Sequence, residues 1–138
     1  MKLRIWSFVL ATLLGIPLGR AAEHTQDSLD KVRENLAKKL AVLIDVREKS
    51  EWDRGHLQEA QLFPLGELKR AGRDPAVKQK VEKGLPKDRI VYCHCAKGVR
   101  ALMAAEILER LGYDVRPLAA GYDKLREANF PVATDDSQ

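Results

Sequence analysis

The sequence predicts an α/β fold with a central, mostly parallel sheet of four to five short strands and helices on both faces. Short apolar runs at residues 41–44 and 89–94 alternate with segments of helical periodicity, the pattern of strands joined by helical crossovers. The run at 41–44 is continuously apolar, which suits a parallel strand covered on both faces. The 138 residues suffice for one domain and not two, and 45% apolar against 32% charged residues is the balance of a chain that folds.

A helix comes first. Asp27 or Ser28 is placed to cap it, and Leu29, Val32, Leu36 and Leu40 recur at helical spacing. Strand one is Ala41-Val42-Leu43-Ile44, closing at Asp45. Ser50 is expected to cap a single turn through Glu51 and Trp52 that Gly55 ends. Residues 60–63 read as strand two, stopped by Pro64 and Gly66. Helices follow at 65–70 and at 75–83, where Pro75 suits a first-turn position. Residues 89–94, the most apolar stretch, form strand three, which should be central. Gly98 opens a long helix through Arg110, with Leu102, Ile107, Leu108 and Leu111 as its stripe, and Gly112 ends it. Residues 113–118 form strand four and 121–128 a closing helix. Phe130-Pro131-Val132 is an extended tail. Trp52 is expected in the core, Arg47 to pair with Glu51 or with Asp45, and His56 to be a satisfied structural histidine.

Residues 1–21 have the order of a secretory leader: basic Lys2 and Arg4, a 14-residue apolar run at 5–18, then Gly19, Arg20 and Ala21. The run falls short of the roughly 20 residues that span a bilayer. An uncleaved anchor or an apolar first helix are the other readings. Cleavage after Ala21 or Ala22 leaves one domain at 22–138, exported to a periplasm or secreted, with no stable membrane association. The leader holds three of the 24 bases and none of the 20 acids, so the remaining chain carries 21 against 20, a net of +1. The basic pI therefore reflects the leader in part, and nucleic-acid binding is not expected.

The two cysteines, Cys93 and Cys95, are separated by one residue. They are expected to point to opposite faces of the strand and make a poor structural staple, so chemistry better explains at least one of them. In open α/β sheets ligands sit beyond the carboxyl ends of the strands. Cys95 falls at such an end, on the same edge as Asp45. The loop His94-Cys95-Ala96-Lys97-Gly98-Val99-Arg100 joins strand to helix and can turn several N–H groups inward as an anion cradle. Gly98 permits the backbone geometry this needs. Donors, helix dipole and the charges of Lys97 and Arg100 favour a thiolate at the mouth of the cradle. Cys-His-Cys supplies too few well-aimed ligands for a metal.

Cys95-Ala96-Lys97-Gly98-Val99-Arg100, with four residues between Cys and Arg, resembles the active-site loop of the rhodanese-domain family. Leu43-Ile44-Asp45-Val46-Arg47, Glu51-Trp52, Gly55-His56-Leu57, Phe63-Pro64-Leu65, Leu111-Gly112-Tyr113 and Ala120-Gly121-Tyr122 resemble its other motifs in order. The likeness covers about residues 40–132 and is nearest in layout to single-domain exported rhodaneses of bacteria. It implies a sulfurtransferase: Cys95 takes sulfane sulfur from thiosulfate or a similar donor, holds it as a persulfide against Ala96, Lys97, Gly98, Val99 and Arg100, and passes it to a thiol or cyanide. No metal or organic cofactor is implied. Departures are Gln58-Glu59 in a turn, Ala101 in place of a hydroxyl residue, Leu125 at a packing position and Cys93 as an extra thiol. Phosphatase loops place five residues between Cys and Arg; Cys95 has four and Cys93 six. A non-catalytic rhodanese-fold binding module and an exported thiol–disulfide protein using Cys93 and Cys95 are the alternatives.

Overall fold

The computed structural model describes residues 21–134. The elements run α1 (Leu29–Ala37), β1 (Ala41–Asp45), α2 (Lys49–Asp53), β2 (Ala60–Leu62), α3 (Leu65–Leu68), α4 (Pro75–Gly84), β3 (Ile90–His94), α5 (Val99–Arg110), β4 (Asp114–Pro117) and α6 (Tyr122–Glu127). The four strands form one sheet in the order β2-β1-β3-β4, and every pairing is parallel. This is the predicted α/β fold. β3 shares the centre of the sheet with β1.

Strand alternation divides the core. Ile44, Val46, Val91, Cys93 and Val115 face α3, α4 and α5, meeting Leu65, Leu68, Val81, Ala101, Ala104, Ala105 and Leu108. Ala41, Leu43 and Tyr92 face the other way, onto Val32 of α1 and Leu125 of α6. Both faces are covered, which explains why β1 reads as an unbroken apolar run through Ile44 and β3 through Cys93.

Local chemistry sets most helix ends. Ser28 accepts from the Lys31 N–H at the start of α1. Asp74 accepts from Ala76 and Val77 ahead of α4, with Pro75 in the first turn. Gly112, in the left-handed region at φ +92°, follows the end of α5.

Four expectations need correcting. Ser50 is not the cap of α2. Glu48 is, because Glu51 reaches back to the Glu48 N–H at 3.0 Å. Leu40 lies beyond α1 and is exposed, since the helix has ended at Ala37 and Lys39 takes a positive φ. On α5 the deeply buried stripe is Ala101, Ala104, Ala105 and Leu108, while Leu102 and Ile107 are only half-buried. Small residues let this helix approach the sheet closely. Trp52 is half-buried, and its ring stacks on His56 at 3.7 Å between centroids. Among the described residues no helix is long and apolar enough to cross a membrane. The expected leader, apart from Ala21, lies outside those residues.

Candidate active site

Parallel register brings the site residues to one edge. Ile44 lies opposite Cys93 and Asp45 opposite His94, so the chain leaves β1 and β3 side by side. The loop that leaves β3 is then tied down from several directions. The His94 carbonyl accepts from Val46 N–H at 3.0 Å, the Cys93 carbonyl from Leu118 at 2.8 Å, and the Cys95 carbonyl from Tyr122 at 2.9 Å. Gly121 makes the last contact possible, since a Cβ there would stand 1.7 Å from the Ala96 oxygen.

Within the loop the Gly98 N–H donates to Cys95 Sγ at 3.0 Å. Gly98 has φ +95°, a conformation that side chains resist. Immediately beyond it α5 begins, and the first N–H groups of a helix have no acceptor within it. Cys95, Ala96, Lys97, Val99 and Arg100 line one cavity of about 340 Å³. The sequence-predicted site residues are therefore assembled around a single thiol.

The thiol is not at the mouth, as the sequence suggested. Cys95 is 1% exposed and lies at the floor, because the loop folds over the sulfur before the helix starts. It nevertheless points at the amide expected to receive it. Cys93 and Cys95 do not face opposite ways either. Residues two apart share a face of a strand, and both thiols belong to one core cluster. Both are free. Cys93 Sγ donates to the Ala101 carbonyl at 3.4 Å, and burial, with the neighbouring Cys95 adding to it, raises its pKa strongly. It stays a protonated packing thiol.

The charges pair differently from one of the sequence expectations. Arg100, not Arg47, is the partner of Glu51, through two parallel bonds of 2.6 and 2.8 Å. Those bonds hold the Glu51 carboxyl down at about 2 against the opposing effect of burial. They raise Arg100 in turn. Lys97 is exposed at the rim.

Arg47 is buried and forks onto Asp45, with Nε at 2.9 Å and Nη2 at 2.7 Å from Oδ2. Its guanidinium also donates to the Gly55 carbonyl and lies 4.2 Å from the Tyr122 ring centre. This pair braces the carboxyl end of β1, the structural role expected of Asp45. His56 donates from Nδ1 to the Trp52 carbonyl, as a satisfied structural histidine does.

His94 is fully buried. Its Nδ1 must carry the proton, since its neighbour at 3.2 Å is the Cys95 carbonyl. Nε2 is left without a hydrogen-bond partner, 3.7 Å from Asp45 Oδ2. Burial lowers the pKa of the ring, outweighing the nearby carboxylate.

Sequence reasoning offered Asp27 only as a candidate cap and missed the long-range ties of the segment ahead of α1. His24 Nε2 lies 3.0 Å from the Gly98 carbonyl. Asp27 accepts from Tyr92 Oη at 2.6 Å and from Arg116 at 2.9 Å, which together hold its carboxyl below the usual range. No periodicity or motif marks these contacts, because the partners lie far along the chain.

Comparison with known proteins follows the same lines. Residues 28–128 match the family described as the rhodanese-like domain. YqhL of Bacillus subtilis is 33% identical over 85 residues, 61% of this chain and 60% of that protein. A probable adenylyltransferase/sulfurtransferase of Mycobacterium tuberculosis, MoeZ, is 34% identical over 104 residues, 72% of this chain but 24% of that protein. The chain thus spans less than two thirds of these relatives. Among solved structures, the human single-domain sulfurtransferase TSTD1 superposes with a TM-score of 0.61 at 29% identity, covering 79% of this chain and 97% of that one. A rhodanese-related protein from Thermoplasma volcanium gives 0.59 at 28% identity, covering 75% and 92%.

Proposed function

The chain belongs to the rhodanese-like domain family, and from that premise we propose that it is a sulfurtransferase working through a persulfide on Cys95. The observation that carries the reading is the Gly98 N–H donated to Cys95 Sγ at 3.0 Å, at the start of α5. Such donors stabilise negative charge on the sulfur. Relatives of like fold that are described as sulfurtransferases support the same class.

The thiolate attacks the outer sulfur of thiosulfate or a similar sulfane donor. A bond forms between Cys95 Sγ and that sulfur while the donor's S–S bond breaks, and sulfite leaves with the bonding pair. The persulfide anion rests among the N–H groups from Ala96 to Arg100. Cyanide or a thiolate then attacks the terminal sulfur and returns the Cys95 thiolate. This is covalent catalysis in two half-reactions. Lys97 at the rim brings positive charge for an anionic donor, and Arg100 on the same wall balances Glu51. We place the enzyme in a periplasm or outside the cell, after removal of residues 1–21 as a leader. The basic start, short apolar run and small residues at 19–21 support that placement.

Intact mass after exposure to thiosulfate tests the chemistry. A gain of one sulfur, removed by cyanide and lost in Cys95→Ser, is expected. Absence of that gain in the wild-type protein would reject the mechanism and favour a binding module. The mass of the protein recovered from an exported fraction tests the leader, and retention of residues 1–21 would refute it.

A further inference from the structure

The segment between the expected cleavage site and α1 reaches the active-site loop. Thr25 N–H donates to the Pro117 carbonyl at 2.8 Å, so the segment runs beside β4. Asp27 is tied to Tyr92 and Arg116, and Ser28 caps α1. Ala22 packs against the core cluster that holds both cysteines. The half-buried His24 is thereby delivered to Gly98 from a position 74 residues away in the chain.

The contact has a defined direction. A carbonyl oxygen only accepts, so Nε2 of His24 carries the hydrogen and donates to Gly98. Gly98 is the same residue whose N–H donates to Cys95 Sγ. Its carbonyl belongs to the peptide unit whose N–H is that of Val99, the first residue of α5. Drawing electron density onto that oxygen makes the Val99 N–H a stronger donor, as bonds in a chain polarise one another. The ring also crowds the place a side chain would take: a Cβ on Gly98 would meet His24 Nε2 at 3.0 Å and the Ala119 oxygen at 3.1 Å. With φ at +95°, that crowded position is a second reason for glycine here. His24 lies ahead of residues 28–128, which match the family, so the family resemblance does not assign it.

We propose that His24 is a positioning residue of the Cys95 site, whose Nε2–H, donated to the Gly98 carbonyl, fixes and polarises the peptide that closes the cradle around the sulfur. The importance given to that sulfur rests on the sulfur-transfer reading. Cleavage after Ala21 or Ala22 would leave His24 as the third or the second residue of the finished protein.

The test uses the mature full-length protein as wild type, His24→Ala and His24→Gln. Glutamine keeps an N–H donor at a similar reach. The rate of Cys95 alkylation by iodoacetamide at neutral pH, located by peptide mass, is measured beside thiosulfate-dependent sulfur gain and the thermal midpoint. His24→Ala is expected to slow alkylation roughly fivefold, about the worth of one hydrogen bond. His24→Gln should recover most of the rate at an equal thermal midpoint. An alanine variant as fast as wild type, a glutamine variant as slow as alanine, or a rate that merely follows the thermal midpoint would each overturn the assignment. If wild type alkylates at Cys95 yet gains no sulfur, the sulfur-transfer reading fails on its own while the alkylation series still decides His24.

Discussion

Two thiols two residues apart meet opposite fates, and neighbouring backbone decides which. Cys93 is locked on β3 with its hydrogen on the Ala101 carbonyl, whereas Cys95 receives the hydrogen of Gly98. One sulfur is a donor in the core and the other an acceptor at the floor of a cavity. Cys95→Ser is accordingly expected to abolish sulfur transfer, and Cys93→Ser to leave most of it, as read by thiocyanate release. The reverse result would exchange their roles. Arg100 and Glu51 make a second residue-scale case. Their side chains are 30% and 22% exposed, so losing the pair should cost only about 1 kcal/mol in a urea titration. Sulfur uptake in Arg100→Ala should fall by about tenfold or more, because the Glu51 carboxylate is then left unbalanced beside a cavity that receives an anion. Proportionate losses in stability and rate would make Arg100 a structural residue.

Elements matter here chiefly as supports for a loop. The start of α6 is pressed against the loop through Gly121, where a methyl group would collide with the Ala96 oxygen. Gly121→Ala must therefore push the two apart, and it should cost about 1–3 kcal/mol and slow sulfur uptake. Leu125, one turn on and fully buried, supports only the core. Leu125→Ala should cost about 2–5 kcal/mol in a denaturant melt with little change in rate at temperatures where it stays folded. The contrast between these two substitutions separates loop support from packing. The strands, the order of helices and the Cys-x-x-Gly-x-Arg spacing were legible in the sequence because each is a local pattern. On α5 the sequence marks Leu108 of the buried stripe but not its alanines, because periodicity favours large apolar residues while the sheet admits small ones. The choice of Glu51 by Arg100, the depth of Cys95 and the arrival of His24 were not legible. Each depends on which distant elements come together, and no short window records that.

At the scale of the whole molecule, acid should lower stability over two successive pH ranges. His94 is buried with a lowered pKa, so the unfolded chain binds a proton that the folded one refuses as pH falls below 6.5. Stability is intact above that value and declines beneath it. Glu51 adds a second decline between 4.5 and about 2, where the carboxylate freed by unfolding takes up a proton more readily than the one clasped by Arg100. Urea midpoints across this range should show both slopes, with His94→Gln flattening the upper and Glu51→Gln the lower. A flat profile from neutrality to pH 5 would contradict the buried neutral ring.

Thr25 hydrogen-bonds to Pro117 on the outermost strand of the sheet, and Val132 bridges Leu57 near the other flank. The domain thus uses its own two ends as selvedges. Trimming the chain back to residue 29 would bare part of β4 as a template for another molecule. The first symptom of such a cut should be dimers and larger species in light scattering.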